Sequence, residues 1–91
     1  MKWFRSNWHH KGPEPIVMFF ECTDDGREIR RVEVFRDGRQ GYASRFDSDG
    51  CTQLGEKPIP FVTGVLDSNL EHFEIGQAEF EEAFSSAKRS P

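Results

Sequence analysis

Side chains able to do chemistry gather in three places along this chain. Trp8-His9-His10 is the densest histidine spot, with His72 far downstream. Adjacent histidines on an extended chain point to opposite sides and chelate one ion poorly. Neither an H-x-x-x-H nor a C-x-x-C spacing accompanies them, so no metal and no other cofactor is expected. Glu21 and Glu33 are the second place. Two carboxylates share acid and base work when they converge in a cleft, and with His9 they would make the site of a small enzyme. Nearby Arg31 points instead to a cross-strand charge cluster. The third place is the set Arg30, Arg31, Arg36 and Arg39 with Phe35 and Tyr42. Cations tracking a phosphate backbone and rings stacking on bases would bind single-stranded RNA. Glu28, Glu33 and Asp37 stand among those arginines, which suits solvated charges that discourage edge-to-edge aggregation. No Ser/His/Asp, Cys/His, phosphate-loop or dinucleotide motif is present, and no catalytic residue is assigned.

These side chains must be positioned by strands. Lys2 to Trp8 reads as a first strand, and His9 to Pro15 as a loop broken by Gly12, Pro13 and Pro15. Ile16 to Cys22 is the second and most apolar strand, Arg27 to Arg36 the third, and Arg39 to Arg45 the fourth. Residues 46–55 form a polar loop. Pro60 at a first helical position predicts a short helical turn over Phe61 to Leu66, and His72 to Ile75 is a short extended piece. From Gln77 the period becomes helical: Phe80, Ala83, Phe84 and Ala87 fall at i, i+3, i+4 and i+7. Glu79 lies in its first turn and Lys88 and Arg89 in its last, matching the helix dipole. The reading is one small α+β domain over residues 1–91, an antiparallel sheet of about four strands with the C-terminal helix packed on one face.

Asp37-Gly38 between two β-rich runs predicts a two-residue type I′ turn. That register pairs Val34 with Gly41 and Val32 with Ala43. For the hairpin before it, a three-residue loop Asp24-Asp25-Gly26, with Gly26 left-handed, pairs Val32 with Met18 and Val34 with Ile16. The alternative two-residue loop would set Arg31 and Glu33 among Ile16, Met18 and Phe20. Cleaner segregation favours the three-residue form. The core face is then Ile16, Met18, Phe20, Cys22, Val32, Val34 and Ala43, with Gly41 making room for the helix. The opposite face carries Val17, Phe19, Ile29, Phe35 and Tyr42 interleaved with Glu21, Arg31, Glu33 and Gln40. That face is too apolar for idle solvent exposure and too charged for a second core. Either a partner covers it, or Trp3, Trp8 or the Pro58–Phe61 segment folds over it.

Nine Phe and two Trp in 91 residues supply burial that a sparse aliphatic set cannot. The net charge of −4 argues mildly against a dedicated DNA binder. The charge is uneven: residues 27–45 hold six Arg against three acids, whereas residues 64–82 hold six acids and no Lys or Arg. Cys22 and Cys51 have no metal-type spacing and read as reduced thiols. The longest apolar run, Ile16 to Phe20, is too short to cross a bilayer. The expected location is the cytoplasm, with no membrane partner.

Glu28-x-Arg30-x-Val32-Glu33-x-Phe35-x-Asp37-Gly38, then Gly41-Tyr42-Ala43, Leu54-Gly55, Pro58-Ile59-Pro60 and Ile75-x-x-x-x-Phe80 together resemble an uncharacterised bacterial family of small single-domain proteins, a domain of unknown function. The resemblance runs from Trp3 to Ala87. It implies a bacterial, cytoplasmic, single-domain protein and brings no site residues with it. This chain departs from the pattern at Gly76, where Ser or Thr is expected to cap the helix.

The reading that follows is a non-enzymatic module binding another protein or a second copy of itself. An immunity- or antitoxin-like role fits by analogy. Aromatic and Arg residues are enriched where partners dock, so Val17, Phe19, Arg31, Glu33, Phe35 and Tyr42 are the expected partner-binding residues.

Overall fold

A computed structural model describes residues 1–89. Six strands, β1 (Lys2–Trp8), β2 (Val17–Cys22), β3 (Glu28–Val34), β4 (Gln40–Ser44), β5 (Gly64–Asp67) and β6 (Leu70–Ile75), precede one helix, α1 (Gln77–Arg89). They form a single antiparallel sheet in the order β4-β3-β2-β1-β6-β5. The α+β class is as expected, but the strand count is six rather than about four. The helical turn expected over Phe61 to Leu66 is absent: Gly64–Asp67 is an edge strand. Gly64 has φ +108°, a left-handed conformation that a right-handed helix cannot contain.

Both central hairpins close in the same way. In the first, Thr23 N–H donates to Arg27 O and Gly26 N–H to Thr23 O; in the second, Phe35 N–H donates to Arg39 O and Gly38 N–H to Phe35 O. Gly26 and Gly38 both have φ +89°. Each is a three-residue loop with a left-handed glycine closing a bulge. This is the loop expected at Asp24-Asp25-Gly26, but at Asp37-Gly38 it replaces the expected two-residue turn. Val32 therefore faces Tyr42, and Glu33 faces Gly41.

The first hairpin carries a second correction. Cys22 pairs with Glu28 but Glu21 with Arg30, so Ile29 is an extra residue in β3. This bulge shifts the rest of the ladder by one, pairing Val17 with Val34 and Phe19 with Val32. Every side chain of β3 beyond it consequently keeps different company from the expected pairing. The physical reason lies in the charges. An unbulged strand sends residues three apart to opposite faces, whereas here Glu28 and Arg31 share one. Arg31 Nε and Nη2 donate to Glu28 Oε2 and Oε1 at 2.6 and 3.0 Å, and Gly55 N–H adds a third bond to Oε1 at 2.9 Å. The Glu28 carboxylate, with no exposed side-chain surface, is thus fully satisfied.

The core has two layers, one on each side of the sheet. Helix α1 lies over Phe19, Val32, Val17, Val34, Tyr42, Trp3 and Ile75, pressing Phe80, Ala83, Phe84 and Ala87 onto them. The helical stripe is as expected, but it covers the face carrying Val17 and Phe19, not the one carrying Met18 and Phe20. The latter packs with Phe4, Cys22 and Ile59. There the loop after β4 folds back: Ile59 N–H donates to Gly26 O at 2.8 Å, and the Phe61 ring stacks on Phe4 at 5.5 Å. Gly41 admits this loop and not the helix, since a Cβ there would collide with the Thr52 hydroxyl and Asp49 Oδ2. No helix of the described residues is long and apolar enough to cross a membrane.

Candidate functional site

On the helix side the strand registers define three rows running across the sheet. Gln40, Val34, Val17, Asn7, Glu71 and Val65 form the first; Tyr42, Val32, Phe19, Arg5 and Phe73 the second; Ser44, Arg30, Glu21, Trp3 and Ile75 the third. Helix α1 follows Ile75 directly through Gly76, so it starts over the third row. It ends near the first, where Ser86 Oγ donates to Gln40 Oε1 at 3.1 Å. It therefore crosses the sheet diagonally and packs on β1 to β4. One corner is only partly covered: the first row, where Val34 and Val17 are half-buried at the edge of the helix and the positions out to Val65, together with Phe73, lie beyond it. Along the flank of α1 this corner deepens into a groove of about 380 Å³, lined by Arg5, Phe19, Val32, Val34, Gln40, Glu79, Glu82, Ala83 and Ser86. Ala83 and Ser86 are small, which keeps that flank of the helix low and the apolar floor reachable. Beyond it Phe73 is 39% and Val65 72% exposed.

The electrostatics of this side are set by what is already paired. Glu21 and Arg30, directly opposed across β2 and β3, form a fork: Nε to Oε1 at 2.5 Å and Nη2 to Oε2 at 2.9 Å. Trp3 Nε1–H also donates to Glu21, and Arg30 reaches on to Glu81 of α1 at 2.7 Å. The guanidinium lies over the Phe80 and Phe84 rings. Its hydrogen bonds, with that of Trp3, outweigh burial and hold the Glu21 carboxyl below its ordinary range; the same bonds raise Arg30. This cluster pins α1 over the third row. In the groove itself Arg5 lies over Phe19 at 5.4 Å and 3.9 Å from Glu79. No cation among the described residues pairs with Glu82.

The opposite side is covered over Phe4, Phe20 and Cys22, and a cleft between Trp8, Met18 and Leu70 remains at its other end. His72 is buried and stacked on Phe4 at 4.9 Å. Its Nε2 lies 2.8 Å from Pro60 O and its Nδ1 2.6 Å from Ser6 Oγ. A carbonyl can only accept, so Nε2 carries the proton and Nδ1 accepts from the Ser6 hydroxyl. Burial pushes the His72 pKa down, keeping the ring neutral. A histidine-activated hydroxyl is nucleophile chemistry in form. Here both side chains are sealed into the core, and the pair ties β1, β6 and the overlying loop together.

The six residues expected to share a partner-binding face do not share one. Val17, Phe19 and Tyr42 lie on the helix side, with Phe19 in the groove lining and Tyr42 edge-on to Phe84. Arg31 and Glu33 lie on the loop side, joined at 3.2 Å and facing Phe20 and Met18 across the ladder. Phe35 sits at the second hairpin loop under the Arg39 guanidinium. His9, Glu21 and Glu33 do not converge: His9 pairs with Glu71 at the end of β1, and the two carboxylates occupy opposite faces. Arg30 and Arg31 spend their donors on carboxylates, leaving them little for phosphates. His10 is satisfied by Pro15 O and Gly12 N–H. Among the described residues no group of three His, Cys, Asp or Glu is placed to hold a metal.

The sequence reading missed Arg5, Gln40, Glu79, Glu82, Ser86 and Phe73. A lone Phe between His72 and Glu74 was the one available sign of an apolar residue reaching outward.

The family model described as Domain of unknown function (DUF6881) matches residues 2–89. The chain belongs to that family. The match spans all six strands and α1, so the covered loop side and the open corner both lie within the family's domain. No curated protein and no solved structure matches the chain.

Proposed function

We propose that the protein is a non-enzymatic interaction module whose partner, another protein, docks in the open corner beside α1. The observation that carries this reading is asymmetry of coverage. On the loop side Ile59 and Phe61 cover Phe4, Phe20 and Cys22, leaving a cleft at Trp8, Met18 and Leu70 that has no acidic helix wall, and the outer edge of β4 is capped by its own loop, with Ser44 N–H donating to Asp47 O and Asp49 N–H to Tyr42 O. The corner keeps an apolar floor of Val17, Phe19, Val34 and Phe73 beside a polar helix flank. An apolar centre with a polar rim is the anatomy of a protein interface. An immunity- or antitoxin-like role in a bacterial cytoplasm suits a small acidic module of this kind, with Cys22 and Cys51 both free thiols.

The test is affinity capture on immobilised protein, comparing the wild type with Glu82→Lys and Val34→Asp. The expected outcome is a protein that the wild type retains, that forms a defined complex with it by light scattering, and that both variants lose while keeping native circular dichroism. A purified complex indifferent to both substitutions overturns the reading.

A further inference from the structure

Resting on the protein-interaction reading, we propose that the corner receives an amphipathic helix of the partner, apolar on one side and bearing Lys or Arg on its flanks. The backbone of the floor limits what can lie on it. The floor is the face of a sheet whose N–H and C=O groups are already paired within the ladder. A partner segment lying there gains no main-chain hydrogen bonds from it, so it must satisfy its own, and a helix does so internally.

Size agrees. From Val34 on β3 to Val65 on β5 the row crosses β2, β1 and β6, four strand spacings or about 19 Å at about 4.8 Å each. A helix of about 13 residues is about that long. The apolar positions along the way, Val34, Val17, Phe73 and Val65, call for a matching stripe on the occupant.

Charge selects among such helices. The wall on α1 is Glu79 and Glu82, and the far end carries Glu71. Between Pro58 and Ala87 there is no Lys or Arg. Arg5, the cation within the groove, is engaged with Glu79 and the Phe19 ring. A basic flank therefore meets Glu82, which no cation among the described residues pairs, and a Glu79 held by Arg5 only at 3.9 Å, whereas an acidic flank meets like charge. The same charges disfavour a second copy, whose corner would bring an equally acidic rim against Glu79 and Glu82.

The experiment uses three fluorescent peptides titrated into the full chain by anisotropy, with amide shifts recorded in parallel. One has Leu at i, i+3, i+4 and i+7 with Lys on the flanks. The second has Glu on the flanks, and the third is the Lys peptide interrupted by a central Pro. The Lys helix is expected to bind, to move the amides of Val17, Val34 and Phe73, and to weaken by about tenfold with Glu82→Lys. Glu56→Lys, outside the corner, should leave affinity unchanged, which controls for general attraction to an acidic protein. The acidic and Pro-broken peptides should bind at least about tenfold more weakly.

Equal binding of either control peptide, shifts outside the corner, no binding of the Lys helix, or dimerisation through the corner overturns the inference. A captured protein that occupies the corner through an extended or acidic segment overturns the helix inference alone, leaving the interaction reading standing. One whose footprint lies elsewhere overturns both.

Discussion

Replacing Glu28 by Gln removes one charge and almost no volume, and the structure sets a large penalty for it. The carboxylate has no exposed side-chain surface and the Arg31 side chain is 19% exposed. Its two oxygens take two donors from Arg31 and one from Gly55. Breaking a buried ion pair from one side costs about 3–5 kcal/mol, because the remaining charge stays desolvated. Glu33 still reaches Arg31 Nη1 at 3.2 Å, which places the expected loss near the lower end, about 3 kcal/mol. For a domain of this size that lowers Tm by about 12–24 °C. Urea unfolding followed by circular dichroism measures it, and a double-mutant cycle with Arg31→Met separates the pair from the rest. The double variant should be more stable than the sum of the singles by about 1–3 kcal/mol. A loss below about 1 kcal/mol, or simple additivity, would refute the reasoning. It would mean that Glu28 does not face Arg31, and so that the Ile29 bulge and the register it sets are wrong.

Three further outcomes follow from the same geometry. Glu21→Gln should cost about 2–3 kcal/mol and Glu81→Gln less than about 1 kcal/mol in urea melts, because the Glu21 side chain is buried and Glu81 is 42% exposed. The depressed pKa of His72 means the unfolded chain binds its proton more readily than the folded one. Stability is therefore full above the ordinary histidine value of about 6.5 and falls as pH drops through it; thermal melts between pH 7.5 and 5 should show this, with a flatter profile in His72→Gln. Gly76→Ser, placing a hydroxyl acceptor at the start of α1, should raise stability by a few tenths of a kcal/mol, or about 1–3 °C in Tm.

Helix α1 was readable from the period of Phe80, Ala83, Phe84 and Ala87, since a 3.6-residue stripe has no strand equivalent. The loop Asp24-Asp25-Gly26 was readable too. Asp37-Gly38 was ambiguous, because a left-handed Gly38 serves a two-residue turn and a three-residue loop alike, and the difference of one residue exchanges both faces. The Ile29 bulge was not visible locally. What stabilises it is a carboxylate–guanidinium pair buried by Gly55 from a distant loop, so apolar segregation alone chose the wrong pairing. Pro60 made the stretch up to Leu66 look helical, yet Gly64 is left-handed there and β6 supplies a ladder. At the candidate site, Val17 and Phe19 stood out as apolar residues beyond the needs of one core face. Arg5, Glu79 and Glu82 could not, because their meeting depends on the diagonal course of α1, fixed by Arg30 bridging Glu21 and Glu81.

The central claim is that a partner docks on the helix side of this sheet, in the corner beside α1, and not on the side covered by Ile59 and Phe61. Amide-shift mapping of the isotope-labelled protein against its captured partner tests it most directly. The account predicts changes at Val17, Val34, Phe73 and Glu82, with Gly55, Ile59 and His72 unmoved. Changes centred on residues 52–61, with the helix flank silent, would contradict it.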